Sequence, residues 1–239
     1  MPLFIALYAL WALLLFGGFV VGRPSSDGVH RMPTWTRMAS SAVLALAAWL
    51  GVYLLRPTPL GRYALFIAVG MTLGLLGDLL MAEVISPPQH VLFGMAAFGL
   101  GHIAYIVAAL ALPFGSDAPG LRWGALGIWL AVGAVGWYVA VARGQKPSAL
   151  TLAALPYALL LASVAGLFCG VALQSSLATA AAVGAALFLV SDLILARQLF
   201  RGWSFPLIGD IIWLLYGPGQ ALIVASMVIT AHLAGVGPT

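Results

Sequence analysis

Charge is what this sequence has least of. Only 7% of its 239 residues are Asp, Glu, Lys or Arg, whereas a soluble globular domain carries roughly 25%, so water is not the main solvent of its surface. Six acidic residues against ten Lys and Arg leave a formal net charge of +4. The basic residues stand singly between apolar runs and form no basic face, which excludes a nucleic-acid partner. The single cysteine, Cys169, lies in an apolar run; it excludes an intramolecular disulfide and a cysteine-based metal site and is expected to fill space as a thiol. No two of the four histidines are spaced as metal ligands, such as i and i+4, and no carboxylate cluster completes a set, so no metal and no other cofactor is expected. The Gly-Asp and Gly-x-Gly pieces follow no strand and precede no Gly-Lys-Ser/Thr, so they are not nucleotide motifs.

What is present is apolar length. Hydrophobic residues make up 63% of the chain and the mean hydropathy is +1.10. A spanning helix needs about 20 mostly apolar residues at 1.5 Å each, and such runs follow one another at 3–22, 36–55, 62–82, 90–112, 122–142, 149–173, 178–198 and 208–234. Proline, serine and glycine punctuate the breaks, as in Arg56-Pro57-Thr58-Pro59 and Ser86-Pro87-Pro88, and no break is long enough for a soluble domain. The fold class expected is all-α: one transmembrane domain over 1–239, a polytopic bundle of about eight helices. The first run has no positive residue before it and no small-residue cleavage pattern, so it is expected to stay as the first helix.

Seven basic residues, Arg23, Arg31, Arg37, Arg143, Lys146, Arg197 and Arg201, fall near the connections after helices 1, 3, 5 and 7, and three, Arg56, Arg62 and Arg122, on the other side. They read as topology anchors, and the positive-inside rule then puts the odd-numbered connections in the cytoplasm and both termini outside it. Gly77-Asp78-Leu79-Leu80-Met81-Ala82 in helix 3 resembles Ser191-Asp192-Leu193-Ile194-Leu195-Ala196 in helix 7, 114 residues later. Four helices separate them, so the two segments run in the same direction, as in a four-plus-four parallel repeat and unlike an inverted one.

Asp27 and Asp117 fall in expected loops, where solvation accounts for them. Asp78 and Asp192 lie inside apolar runs, each followed five residues later by a charge, Glu83 and Arg197, that marks the interface. Five residues are roughly 7 Å of helix, so both carboxyls should sit at one depth below the cytoplasmic surface. An aspartate near the bilayer centre costs about 2.5–3.5 kcal/mol, faces the bundle interior and marks a functional path; the alternative is polar glue between helices. Asp210 enters helix 8 from the same side, and Glu83, His90 and His232 read as interfacial. His102 has Tyr105 one turn further along the same face, and histidine moves protons near neutral pH. In Tyr216-Gly217-Pro218-Gly219-Gln220, proline removes a backbone donor and the glycines loosen the helix, which points to a wet or ligand-lined cavity beside Tyr216 and Gln220, or to a packing kink.

Leu76-Gly77-Asp78-Leu79-Leu80, Phe98-Gly99-Leu100-Gly101-His102-Ile103-Ala104-Tyr105, Phe188-Leu189-Val190-Ser191-Asp192-Leu193-Ile194-Leu195-Ala196 and the Tyr216-to-Gln220 segment together resemble the YhhN-like family of integral membrane proteins, whose characterised members are lysoplasmalogenases. The resemblance implies a lysophospholipid substrate among the membrane lipids and hydrolysis of a vinyl ether bond. Protonation of the β-carbon gives an oxocarbenium ion, and water then adds at the α-carbon. One carboxyl must donate the proton while another stabilises the cation or draws a proton from water. Asp78 and Asp192 are expected as that pair; His102, Tyr105, Asp210, Tyr216 and Gln220 are the candidates for holding water or the glycerol backbone. Arg197 and Arg201, near the same interface, are candidates for holding the phosphate but read more strongly as snorkelling anchors. A small-solute or proton-coupled transporter is the alternative, and would need polar residues continuing to the opposite leaflet; a non-catalytic scaffold would leave the aspartates replaceable. The sequence does not fix the oligomeric state.

The basic asymmetry predicts that a C-terminal reporter active only in the cytoplasm stays silent while one active only outside gives signal, and the reverse pattern overturns the orientation.

Overall fold

The computed structural model of the chain describes residues 1–115 and 117–236. Among these the chain forms α1 (Pro2–Val21), α2 (Thr34–Leu55), α3 (Gly61–Met81), α4 (His90–Leu110), α5 (Pro119–Trp137), α6 (Ala149–Ala172), α7 (Thr179–Arg201) and α8 (Ile208–Leu233), with no strand. All eight spans are long and apolar enough to cross a membrane, α5 together with its extension. The chain is therefore an integral membrane protein, and the sequence-based ends agree with the observed ones to within about three residues. Two ends differ in kind. The last turn after α5, Tyr138–Ala142, is π-helical, and a short 3-10 turn, Ser176–Ala178, leads into α7.

Local signals set the ends. Pro2 and Pro119 stand in the first turns of α1 and α5, where a missing amide costs nothing. Ser148 and Thr151 close a capping box on α6. Gly202 ends α7 in the left-handed region at φ 61°, a conformation that glycine adopts without penalty.

Packing follows a closed circuit in which α2, α3, α4, α6, α7 and α8 each touch the next and α8 returns to α2. The other two helices lie outside it, α1 on α2 and α5 on α6. Only 22% of the apolar window of α1 and of α5 is buried inside the protein, against 67% for α8, so α1 and α5 turn most of their surface to lipid while α8 is central. Moving four helices along the chain maps α1–α2 onto α5–α6, α2–α3 onto α6–α7, α3–α4 onto α7–α8 and α4–α6 onto α8–α2, the pattern that a parallel duplication predicts.

Lipid offers no hydrophobic force to drive helices together, so close approach rests on small residues. A Cβ on Gly184 of α7 would lie 2.5 Å from the Gly219 carbonyl oxygen of α8, and one on Gly219 would lie 2.9 Å from the Gly184 oxygen. The glycines after Tyr216 are therefore packing glycines: Gly219 admits α7, and Gly217 admits the Leu15 side chain of α1.

Gly184→Ala is expected to cost about 1–3 kcal/mol, because the obstacle is backbone and cannot rotate away. Thermal unfolding in detergent should show the loss, whereas Gly127→Ala, with nothing within 4 Å of the added methyl, should leave the midpoint unchanged.

Candidate active site

Asp78 is buried near the end of α3 and collects donors from two other helices. The Ser41 hydroxyl of α2 donates to its Oδ2 at 2.5 Å, and the Tyr216 hydroxyl of α8 donates to the same oxygen at 3.0 Å. Both donors converge on Oδ2, and among the described residues none donates to Oδ1. Behind Tyr216 the chain of hydrogen bonds continues: Gln220 Nε2 donates to the Tyr216 hydroxyl at 3.3 Å, and the Tyr105 hydroxyl of α4 donates to Gln220 Oε1 at 2.8 Å. Asp78, Tyr216, Gln220 and Tyr105 thus form one polar string in an apolar bundle, where each unpaired group would be costly.

Asp192, on α7, is partly exposed. The Tyr157 hydroxyl of α6 donates to its Oδ2, and the neighbouring Ser191 hydroxyl lies 3.4 Å from Oδ1. Asp78 and Asp192 both line one cavity of about 200 Å³, more than a few waters require. Its wall is mainly apolar: Met81, Phe98, Trp137, Leu161, Leu189 and Leu193 contribute, and the turn of π-helix after α5 adds Ala140 and Val141. A carboxylate from each half of the chain therefore faces a common, mostly apolar space, next to the Tyr157 and Tyr216 hydroxyls.

At one edge of the cavity stand Arg37 and His30. Arg37 is 8% exposed. Its Nη2 donates to Thr34 Oγ1 at 3.1 Å, its Nη1 lies 3.2 Å from His30 Nε2, and its guanidinium sits 5.6 Å from the Trp213 ring centre. Burial first, and then the adjacent Arg37 charge, hold the His30 imidazole below its usual range, against the opposing pull of Asp210 and Asp27.

Of the residues expected from sequence to touch substrate, only Tyr216 shares the cavity wall with the two aspartates. Gln220 and Tyr105 stand one and two hydrogen bonds behind it. His102 is buried behind Tyr157 and Phe188, its ring 5.2 Å and 5.1 Å from theirs, with neither ring nitrogen hydrogen-bonded. Asp210 is a correction of a different kind. Its carboxylate, wholly buried, accepts the backbone amides of Arg31 at 2.5 Å and Met32 at 3.0 Å, so it pins the α1–α2 connection to the start of α8 and is not on the cavity wall. Arg197 and Arg201 are exposed, Arg197 over the Trp203 ring, and neither lines the cavity. Glu83 is exposed and lies 3.6 Å from His90 Nε2, as interfacial groups do. Among the described residues no three His, Cys, Asp or Glu side chains gather as a metal site would require.

Sequence reasoning missed Ser41, Tyr157, His30 and Arg37. Tyr157 had one faint signal, a hydroxyl directly after a proline within an apolar run; Arg37 had none that separated it from an anchor.

The model of the YhhN family matches residues 32–227. No curated protein and no solved structure matches the chain.

Asp210→Ala leaves two amides without their acceptor. Hydrogen bonds to charged groups are worth about 1.5–3 kcal/mol each, so the variant should unfold at lower temperature and be cut faster by protease within residues 23–33. An unchanged cleavage rate would remove Asp210 from this anchoring role.

Proposed function

The chain belongs to the YhhN family, and on that premise we propose that it is a membrane-embedded lysoplasmalogenase, hydrolysing the vinyl ether bond of a lysophospholipid to a fatty aldehyde and a glycerophosphoethanolamine or glycerophosphocholine. The observation that carries the reading is the pair Asp78 and Asp192 on one mostly apolar cavity. Two carboxyls that share one proton divide the work of acid and base. The acid delivers its proton to the β-carbon of the enol ether, the double bond supplies the electron pair, and the α-carbon becomes an oxocarbenium carbon. The second, ionised carboxyl faces that positive charge and takes a proton from the water that adds there. The resulting hemiacetal then expels the glycerol oxygen as an alcohol, and the aldehyde leaves. One water is consumed and the carboxyls are restored.

The surroundings suit each step. Hydroxyls of Ser41 and Tyr216 hold Asp78 on one oxygen, leaving the other for substrate, and Tyr157 orients Asp192. The apolar wall suits an alkenyl chain and keeps bulk water from the cation. The basic asymmetry supports a cavity that opens toward the cytoplasmic side of a cell membrane. Transport is less well supported. The polar string from Asp78 ends at Tyr105, against Met71 Sδ at 4.0 Å, and the Tyr63–Ser226 pair, 2.5 Å apart, is not hydrogen-bonded to it.

Purified protein incubated with lysoplasmenyl-ethanolamine should release aldehyde, and with the matching lyso-acyl lipid no fatty acid; release of neither product overturns the reading. Asp78→Asn and Asp192→Asn should each keep the fold and lower turnover by at least about 100-fold, since Asn neither donates an acidic proton nor carries charge. A rate above about a tenth of the parent's in either variant would unseat that residue. Parental activity should fall on both sides of a pH optimum, as one limb consumes the acid and the other the base.

A further inference from the structure

Arg37 is a buried guanidinium with no carboxylate within 4 Å among the described residues. Its Nε has no hydrogen-bond partner among the described residues, whereas the neighbouring His30 Nδ1, beyond hydrogen-bond distance of any acceptor, faces Asp210 Oδ1 at 3.8 Å. A buried charge without a directly contacting carboxylate is unfavourable, and Arg37 is held only by the Thr34 hydroxyl, the His30 ring and the face of Trp213, with Asp210 and Asp78 acting on it at longer range. Asp210, the nearest acid by sequence position in α8, is already committed to the amides of Arg31 and Met32.

Position gives the unpaired donors a purpose. Beside the apolar cavity, a polar crevice runs along the α1–α2 connection, lined by Arg23, Ser25, Asp27, Arg31 and Thr34 among others. His30 and Arg37 are the two residues that line both spaces. They therefore stand where an apolar compartment containing two carboxyls meets a crevice holding three arginines and one aspartate. Asp27 is occupied by the Ser25 hydroxyl and the Val29 amide and Arg31 by the Gly22 and Val20 carbonyls, and of the three arginines only Arg37 also lines the apolar cavity.

We propose that Arg37, with His30 beside it, binds the phosphate of the lysophospholipid at the boundary between crevice and cavity, so that the headgroup lies in the crevice and the ether-linked chain enters the cavity past Asp78 and Asp192. This rests on the lysolipid reading of the cavity and names what recognises the headgroup. Arg37 is a positioning residue: a guanidinium presents a planar fork to phosphate oxygens, and anchoring the phosphate fixes how far along the cavity the glycerol oxygen and its vinyl group reach. The same arrangement explains why Arg197 and Arg201, at the exposed end of α7, are not needed for the headgroup.

The test uses the full-length protein in detergent and ligands in which no bond breaks: a saturated alkyl-ether lysophosphoethanolamine, the alkylglycerol with the same chain and no phosphate, and inorganic phosphate alone. Calorimetric titration of the parent should show the lysophosphoethanolamine binding at least about tenfold more tightly than the alkylglycerol, the size of one charge-assisted contact. Arg37→Gln should bring the two affinities to within about threefold by weakening only the phosphate-bearing lipid, and Arg37→Lys should keep part of the preference. Equal affinities in the parent overturn the proposal. So does an Arg37→Gln that weakens both lipids alike, as a merely structural role would, and so does inorganic phosphate binding as tightly as the lipid, which would make this a free-anion site. If Arg37→Gln does not purify folded, Arg37→Lys and the parental preference decide. Because nothing is hydrolysed, the result stands apart from whether Asp78 and Asp192 cleave a vinyl ether: the phosphate preference can fail while aldehyde is produced, and can hold while none is.

Discussion

A carboxyl group inside a bilayer must be met by donors from other helices, and the rest of this bundle is arranged around that constraint. Asp78 on α3 is reached by Ser41 from α2 and Tyr216 from α8, and Asp192 on α7 by Tyr157 from α6. Each bond ties together two helices that lipid alone would not hold, since contacts between apolar helices gain little over contacts with lipid tails. The donors are hydroxyls, which satisfy a carboxyl without cancelling its charge as a lysine or arginine would. Both carboxyls are thus held in place by neutral donors.

The same economy governs the end of the bundle where α1 joins α2. Asp210 ends two orphan amides of the connection, and the Gly28 and Val29 carbonyls accept the amides of Leu207 and Gly209. The connection is fastened to α8 at several points and holds His30 against Arg37. A loop that sequence alone reads as a polar break between two spans thereby becomes the wall of a cavity. Asp210 acts through the segment that it fixes, and its Oδ1 lies 3.8 Å from His30 Nδ1.

The two halves of the chain are related in position more than in detail. Tyr216 and His102 are 114 residues apart, as Asp192 and Asp78 are. Tyr216 crosses from the second half to Asp78; His102 stands behind Tyr157, the donor to Asp192. Positions at the same offset thus carry different side chains, and the two carboxyls have different hydrogen-bond donors.

The number of spans, their limits and the two aspartates worth attention were legible in the sequence, because a bilayer imposes one strict requirement on length and apolarity and makes every intramembrane charge conspicuous. The neighbours of those aspartates were not. Ser41, Tyr157 and Arg37 resemble any serine, tyrosine or interfacial arginine of a membrane helix, and periodicity does not say which helix a face will meet. Asp210, which sequence places only at the entry of helix 8, holds backbone amides, while Gln220 and Tyr105 came to rest behind Tyr216 instead of on the cavity wall. The sequence determined that acidic groups would be buried in a membrane bundle. Only the packing of α2, α6 and α8 against α3 and α7 decided which carboxylate oxygens receive donors and where a buried arginine stands with no carboxylate within 4 Å among the described residues, because those depend on distances between residues far apart in the chain.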